Sequence, residues 1–201
     1  MNFHISRARL DALTDGVFAI TMTLLVIDLR LPETFHPKDG GELIARVLEP
    51  WSQFLAYFIT FMVLGIRWMN LSRLAEEQAH VAAGFVRWSL LHLLLIGCMP
   101  FSTMLLGRYG NLAPSVWIYA VNTVLAALVM IRMTMLVDPA EASLLANRRV
   151  FTLLWLIGVA LLSVVVSLYA APYAMLVYLL NLVAPRLAQR YVERPRRRRK
   201  A

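Results

Sequence analysis

Six long apolar stretches, separated by short polar breaks, leave this chain few folds to choose from. A helix needs about 20 mainly apolar residues to cross the hydrocarbon of a bilayer, and such windows fall at roughly 11–31, 51–72, 83–107, 113–136, 150–170 and 172–188. The breaks read LPETFHPKDGG, SRLAEEQAH, GRYGNLAPS, VDPAEASLLANRR and AAPY, all rich in turn or polar residues. The sixth window is the weakest, being short and holding Asn181 and Pro185, so five spans is the alternative count. Composition agrees with a lipid solvent: 60% of residues are hydrophobic and only 16% charged, where soluble domains carry about a quarter. The expected fold is an all-α integral membrane protein, with a six-helix unit over residues 1–190 and a basic tail over 191–201.

The net charge of +8 invites a nucleic-acid partner, but its distribution points elsewhere. Seven of the 20 basic residues follow residue 189, in RYVERPRRRRKA. Such a tail fixes topology and touches anionic lipid. With the N-terminus inside, all basic residues except Arg30, Lys38, Arg46 and Arg108 fall on the cytoplasmic side, 16 of 20. The expected topology therefore has both termini in the cytoplasm, in a bacterial inner membrane. The first outer loop, from Asp28 to Glu49, is acidic and would concentrate cations. Within it, GELIARVLEP has the i,i+4 apolar pattern of a short interfacial helix.

Several chemistries drop out. Cys98 is the single cysteine, so neither an intrachain disulfide nor a paired-thiolate metal site can form. The first apolar run contains Asp15 and Asp28 and lacks a small-residue cleavage site, and it reads as a mature helix. No phosphate-binding glycine loop or nucleophile elbow appears, and an enzyme is not expected. GRYG at 107–110 does not reproduce the TVGYG filter of ordinary potassium channels.

The first span, RLDALTDGVFAITMTLLVID, divides by face. At 100° per residue one stripe holds Leu13, Gly16, Ile20, Thr23, Leu24, Ile27 and Leu31; the opposite side carries Asp11, Asp15, Met22, Leu25 and Leu29. For a single chain the apolar stripe reads as the core-facing side. If several subunits brought it to a shared axis, Ile20, Leu24 and Ile27 would form a hydrophobic constriction with the Thr23 hydroxyl beside them. A carboxylate within the span must find a donor or water. Arg9, Arg67, Trp68, Asn70 and Arg73 are the available donors for Asp15, as a brace for the helix or as a direct ion or proton contact.

The pattern R-x-x-x-L-T-D-G-V-F-A-I followed by TLLVID resembles the signature R-x-x-x-F-S-D of the endosomal and lysosomal potassium channel family, in particular its bacterial members with one six-helix unit per chain. Trp68 and Asn70 look like that family's tryptophan motif, and PFSTMLLGRYG at 100–110 is similar to the end of its third span. The resemblance implies a homotetrameric, potassium-favouring cation channel with no re-entrant pore loop. Ile20, Thr23, Leu24 and Ile27 would line its constriction, while Arg9, Thr14, Asp15, Trp68, Asn70 and Ser72 would brace the first helix. It also implies no cofactor and no structural metal, only permeant potassium in the pore. Leu71-Ser72 stands where the family has a histidine pair, and Ser72 cannot carry charge. A proton-coupled transporter using Asp15 and a non-conducting membrane scaffold are the alternatives.

Other residues read as packing. His92 is expected as a buried histidine with one local partner. Ser163 and Ser167 suit close helix contact. Trp51, Trp117 and Tyr119 fit an aromatic belt, and Arg67 and Arg132 can snorkel from the inner ends of their spans.

Overall fold

The computed structural model describes residues 6–31, 34–76, 83–137 and 148–182, and these are helical throughout apart from short connections. In chain order the helices are α1 (Arg7–Ile27), α2 (Gly40–Leu48), α3 (Trp51–Glu76), α4 (Ala83–Gly97), α5 (Met99–Tyr109), α6 (Ala113–Val137) and α7 (Arg148–Ala174), followed by a 3-10 segment, Met175–Leu182. We call the end of the bundle that carries Ser6 the near end and the end that carries Asp28 the far end. The tail over 191–201 and the rest of the sixth predicted span lie outside the described residues.

Five stretches are long and apolar enough to cross a membrane: 7–27, 51–74, 83–109, 113–137 and 149–181. The third predicted span is α4 and α5 together. They meet at Cys98, two residues before Pro100, whose ring nitrogen cannot donate to the turn before it. The fifth and sixth predicted spans share the last stretch. Ala170 interrupts it with φ −151° and ψ 68°, and Pro172 follows. The chain then turns back, because the Trp155 indole N–H donates to the Leu180 carbonyl at 3.3 Å. The break thus divides one apolar run into two antiparallel pieces, the second wound as a tight 3-10 helix.

The first predicted span shifts in register. It runs from Arg7 and ends at Ile27, with Asp28 as its C-cap, rather than reaching residue 31. α2 is the expected amphipathic helix: Asp39 accepts from the Glu42 amide at 2.7 Å and caps it. Its Leu43, Ile44, Val47 and Leu48 are exposed, as a helix lying at a lipid–water interface requires.

α6 is central, packing against α4, α5 and α7. Its alanines and small polar residues, among them Ala120, Thr123, Ala126 and Ala127, are buried and let neighbouring backbones approach. α1 is peripheral, lying against α3, α4 and α5. The buried share of its most apolar window is 28%, against 56% for α6. The tightest helix contact joins α5 to α3. A Cβ on Gly107 would sit 3.0 Å from Gln53 Cα, and Ser52 Oγ donates to the Gly107 carbonyl at 2.9 Å. Gly107→Ala should therefore separate the two helices and destabilise the fold by about 1–3 kcal/mol, visible as a lower melting temperature.

Three packing expectations change. Tyr119 is not a belt residue: it is fully buried and shares a 3.0 Å hydrogen bond with Thr60. His92 is buried, but neither ring nitrogen has a side-chain or backbone hydrogen bond; its ring lies 6.4 Å from that of Phe18. Arg67 does not snorkel but turns into the bundle, where it is 2% exposed. Ser163 and Ser167 are buried as expected, and Ser167 accepts from the Trp117 indole at 3.0 Å.

Candidate functional site: the two faces and two ends of the first helix

α1 buries Leu10, Thr14, Phe18, Thr21 and Leu25, spaced by three or four residues and so on one side. The apolar stripe of the sequence analysis is on the other side. Ile20 is 61% exposed, Leu24 44% and Ile27 61%. The core-facing expectation for a single chain is thus reversed. Phe18 and Leu25 fill the subunit's interior, while the isoleucine–leucine stripe is left for a surface outside the subunit. Thr23 is exposed within that stripe, and its hydroxyl donates to the carbonyls of Ile20 (2.9 Å) and Ala19 (3.1 Å). With its one proton held by the helix, Thr23 Oγ1 presents acceptor lone pairs outward.

Polar contacts fasten α1 at both ends. At the near end the Trp68 indole N–H donates to Asp15 Oδ1 at 2.8 Å, joining α1 to α3. One turn earlier, Arg7 and Asp11 pair at 3.5 Å along the helix. Between α1, α3 and α4 lies a cavity of about 350 Å3, whose wall includes Asp11, Thr14, Asp15, Trp68, Ser72 and Ser89. At the far end Arg108 grips Asp28 with both arms of its guanidinium, Nη2 to Oδ1 at 2.5 Å and Nε to Oδ2 at 3.3 Å. That geometry is bidentate and charge-assisted.

The residues expected to brace the helix divide accordingly. Asp15 and Trp68 touch directly, and Thr14 and Ser72 share their cavity. Ser72 donates back to the Trp68 carbonyl at 3.0 Å, with Asp15 left to the indole. Arg9 is exposed and has no hydrogen bond or ion pair among the described residues. Asn70 lies on the opposite side of α3, in the wall of a smaller cavity with Arg67 and Asn181. Sequence reasoning missed the Arg7–Asp11 pair, although i,i+4 spacing signals it. It also missed Asp28–Arg108, which no local pattern could reveal. Trp68→Phe keeps the ring and removes the donor. It should cost about 1 kcal/mol of stability in thermal melting, and combining it with Asp15→Asn should add little further loss.

Together these features define a helical membrane protein whose first helix is held at both ends and presents an unpaired apolar face. Comparison with known proteins then gives its kin. Residues 9–100 match the family model described as endosomal/lysosomal potassium channel TMEM175, and the chain is related to that family through this region. A potassium channel of Chamaesiphon minutus is 35% identical over 101 residues, covering 50% of this chain and 49% of that one. A potassium channel of Streptomyces collinus is 34% identical over 101 residues, covering 50% and 48%. The match therefore spans about half the length of these curated relatives. The fold is similar to a crystal structure of a lysosomal potassium-selective channel TMEM175 homolog from Chamaesiphon minutus. The TM-score is 0.72 and the identity 24%, over 90% of this chain and 97% of that one.

Proposed function

We propose that the protein is a potassium-favouring cation channel that conducts passively as a homotetramer around the exposed face of α1. One observation carries this reading: Ile20, Leu24 and Ile27 are uncovered on a helix whose other side is packed into the subunit. Four copies of that face around an axis would form successive apolar rings, a constriction able to gate by dewetting. Thr23 lies beside them, its oxygen free to replace part of an ion's hydration. Asp15 and Trp68, supported by Thr14 and Ser72, brace the near end; Arg9 and Asn70 belong to the same ends of α1 and α3 by sequence. No cofactor is involved, and potassium is cargo.

The same reading places both termini in the cytoplasm of a bacterial inner membrane, with the basic tail on anionic lipid. The tail separates a channel from a scaffold. Deleting residues 194–200 should leave potassium flux in liposomes within about twofold of the full chain, the scatter expected when only surface electrostatics change. Loss of flux with assembly intact would favour the scaffold. Pore lining is tested by cysteine accessibility in a Cys98→Ser background. A charged thiol reagent should block current in Leu24→Cys and leave Leu154→Cys unaffected; equal insensitivity of both would remove Leu24 from the pore.

A further inference from the structure

Arg67 sits in the second half of α3, within a stretch apolar enough to cross the membrane, and its side chain is buried in the subunit. Its Nη2 donates to the Thr123 carbonyl on α6 at 2.8 Å. Nε and Nη1 have no hydrogen-bond partner. Among the described residues no carboxylate pairs with it; its electrostatic neighbours are the phenols of Tyr119 and Tyr178. The surrounding interior is also short of acceptors. Thr123 Oγ1, Ser163 Oγ, Tyr178 Oη and both His92 nitrogens are buried without partners. Buried polar groups are normally satisfied, so a concentration of orphan groups around one cation signals a missing component.

A cavity of about 30 Å3 adjoins Arg67, with Asn70, Asn181, Val63, Ile66 and Leu156 in its wall. Asn181 Nδ2 is held by the Tyr178 carbonyl at 3.0 Å, while Asn70 makes no hydrogen bond among the described residues. A single water needs about 10–15 Å3 measured this way, so the space fits one halide-sized ion or two waters. Charge decides between them. Water can satisfy N–H groups but leaves a unit positive charge out of solvent, a penalty of several kcal/mol that an opposite charge offsets. We propose that this cavity binds a small monovalent anion of the chloride class, held by Arg67 Nε and Nη1 and joining α3 to α7 and the final 3-10 segment. The site is separate from the exposed face of α1 and stands independently of the channel reading.

The test uses the full chain in lipid nanodiscs or crystals. Diffraction data from protein in potassium bromide should show an anomalous bromide peak within hydrogen-bonding distance of Arg67. Melting temperature should rise saturably with chloride or bromide at constant ionic strength, with gluconate as the balancing anion. Arg67→Met, which replaces the charge with an apolar chain of similar length, should remove that halide dependence. If Arg67→Met does not fold, the wild-type bromide peak and halide titration decide alone. Water density without an anomalous peak, a carboxylate of the chain occupying the cavity, or melting indifferent to halide would overturn the proposal.

Discussion

Leu24→Ala is expected to raise potassium flux through the purified protein by about tenfold or more, since lowering an ion's barrier by about 1.4 kcal/mol suffices for that factor. It should also weaken discrimination against sodium. The substitution removes three carbons from each subunit's contribution to an apolar ring, and entry of water into such a ring depends steeply on its width and apolar surface. Ile20→Ala should act in the same direction. Folding should change little, because Leu24 is 44% exposed and fills no part of the subunit core. Phe18→Ala supplies the control from the same helix. Phe18 is 1% exposed, and its removal should cost about 3–5 kcal/mol through the cavity left behind. Flux and stability should therefore separate by face: alanine at 20 or 24 moves flux, and alanine at 18 moves melting temperature. Unchanged conductance and selectivity in both Ile20→Ala and Leu24→Ala would take these side chains out of the pore.

The second large effect concerns the far end of α1. Asp28→Arg places a second guanidinium against Arg108 where a bidentate ion pair stood. The pair itself is partly exposed, with side chains 25% and 34% accessible, so its loss alone costs about 1 kcal/mol or less. Reversal adds like-charge repulsion and frees the helix end immediately after Ile27. The expected result is a lower melting temperature together with altered single-channel conductance. The exchanged pair, Asp28→Arg with Arg108→Asp, should recover most of both. Recovery is the informative arm, because a defect in packing alone would persist in the double variant.

Much of the fold was legible because a bilayer imposes a length on apolar runs. α1, α3 and α6 fall on their predicted windows to within a few residues, and α4 with α5 fills a fourth. The end of the chain was harder to read. Composition cannot place a break inside a continuous apolar run, and only Pro172 hinted at the turn that Ala170 makes. Periodicity separated the two faces of α1 correctly, but assigned the core to the wrong one. Ile20, Leu24 and Ile27 are as hydrophobic as Phe18 and Leu25. The difference lies in which neighbours each meets, and helices distant in sequence decide that. The Asp15–Trp68 contact was foreshadowed by the need of a membrane-embedded carboxylate for a donor. The Asp28–Arg108 clamp spans eighty residues and had no local signature. Arg67 shows the limit of the snorkelling rule. The rule is sound for a side chain facing lipid, but this one faces α6, where Thr123 offers its carbonyl.

The most direct test of the central claim is cation flux from liposomes reconstituted with the purified full chain, driven by a potassium gradient and repeated with sodium. The account predicts potassium flux above that of empty vesicles, larger than sodium flux, and present without any proton gradient. Flux no greater than in empty vesicles at every voltage and pH would contradict it. So would transport that requires a proton gradient and disappears in Asp15→Asn while the assembly remains intact.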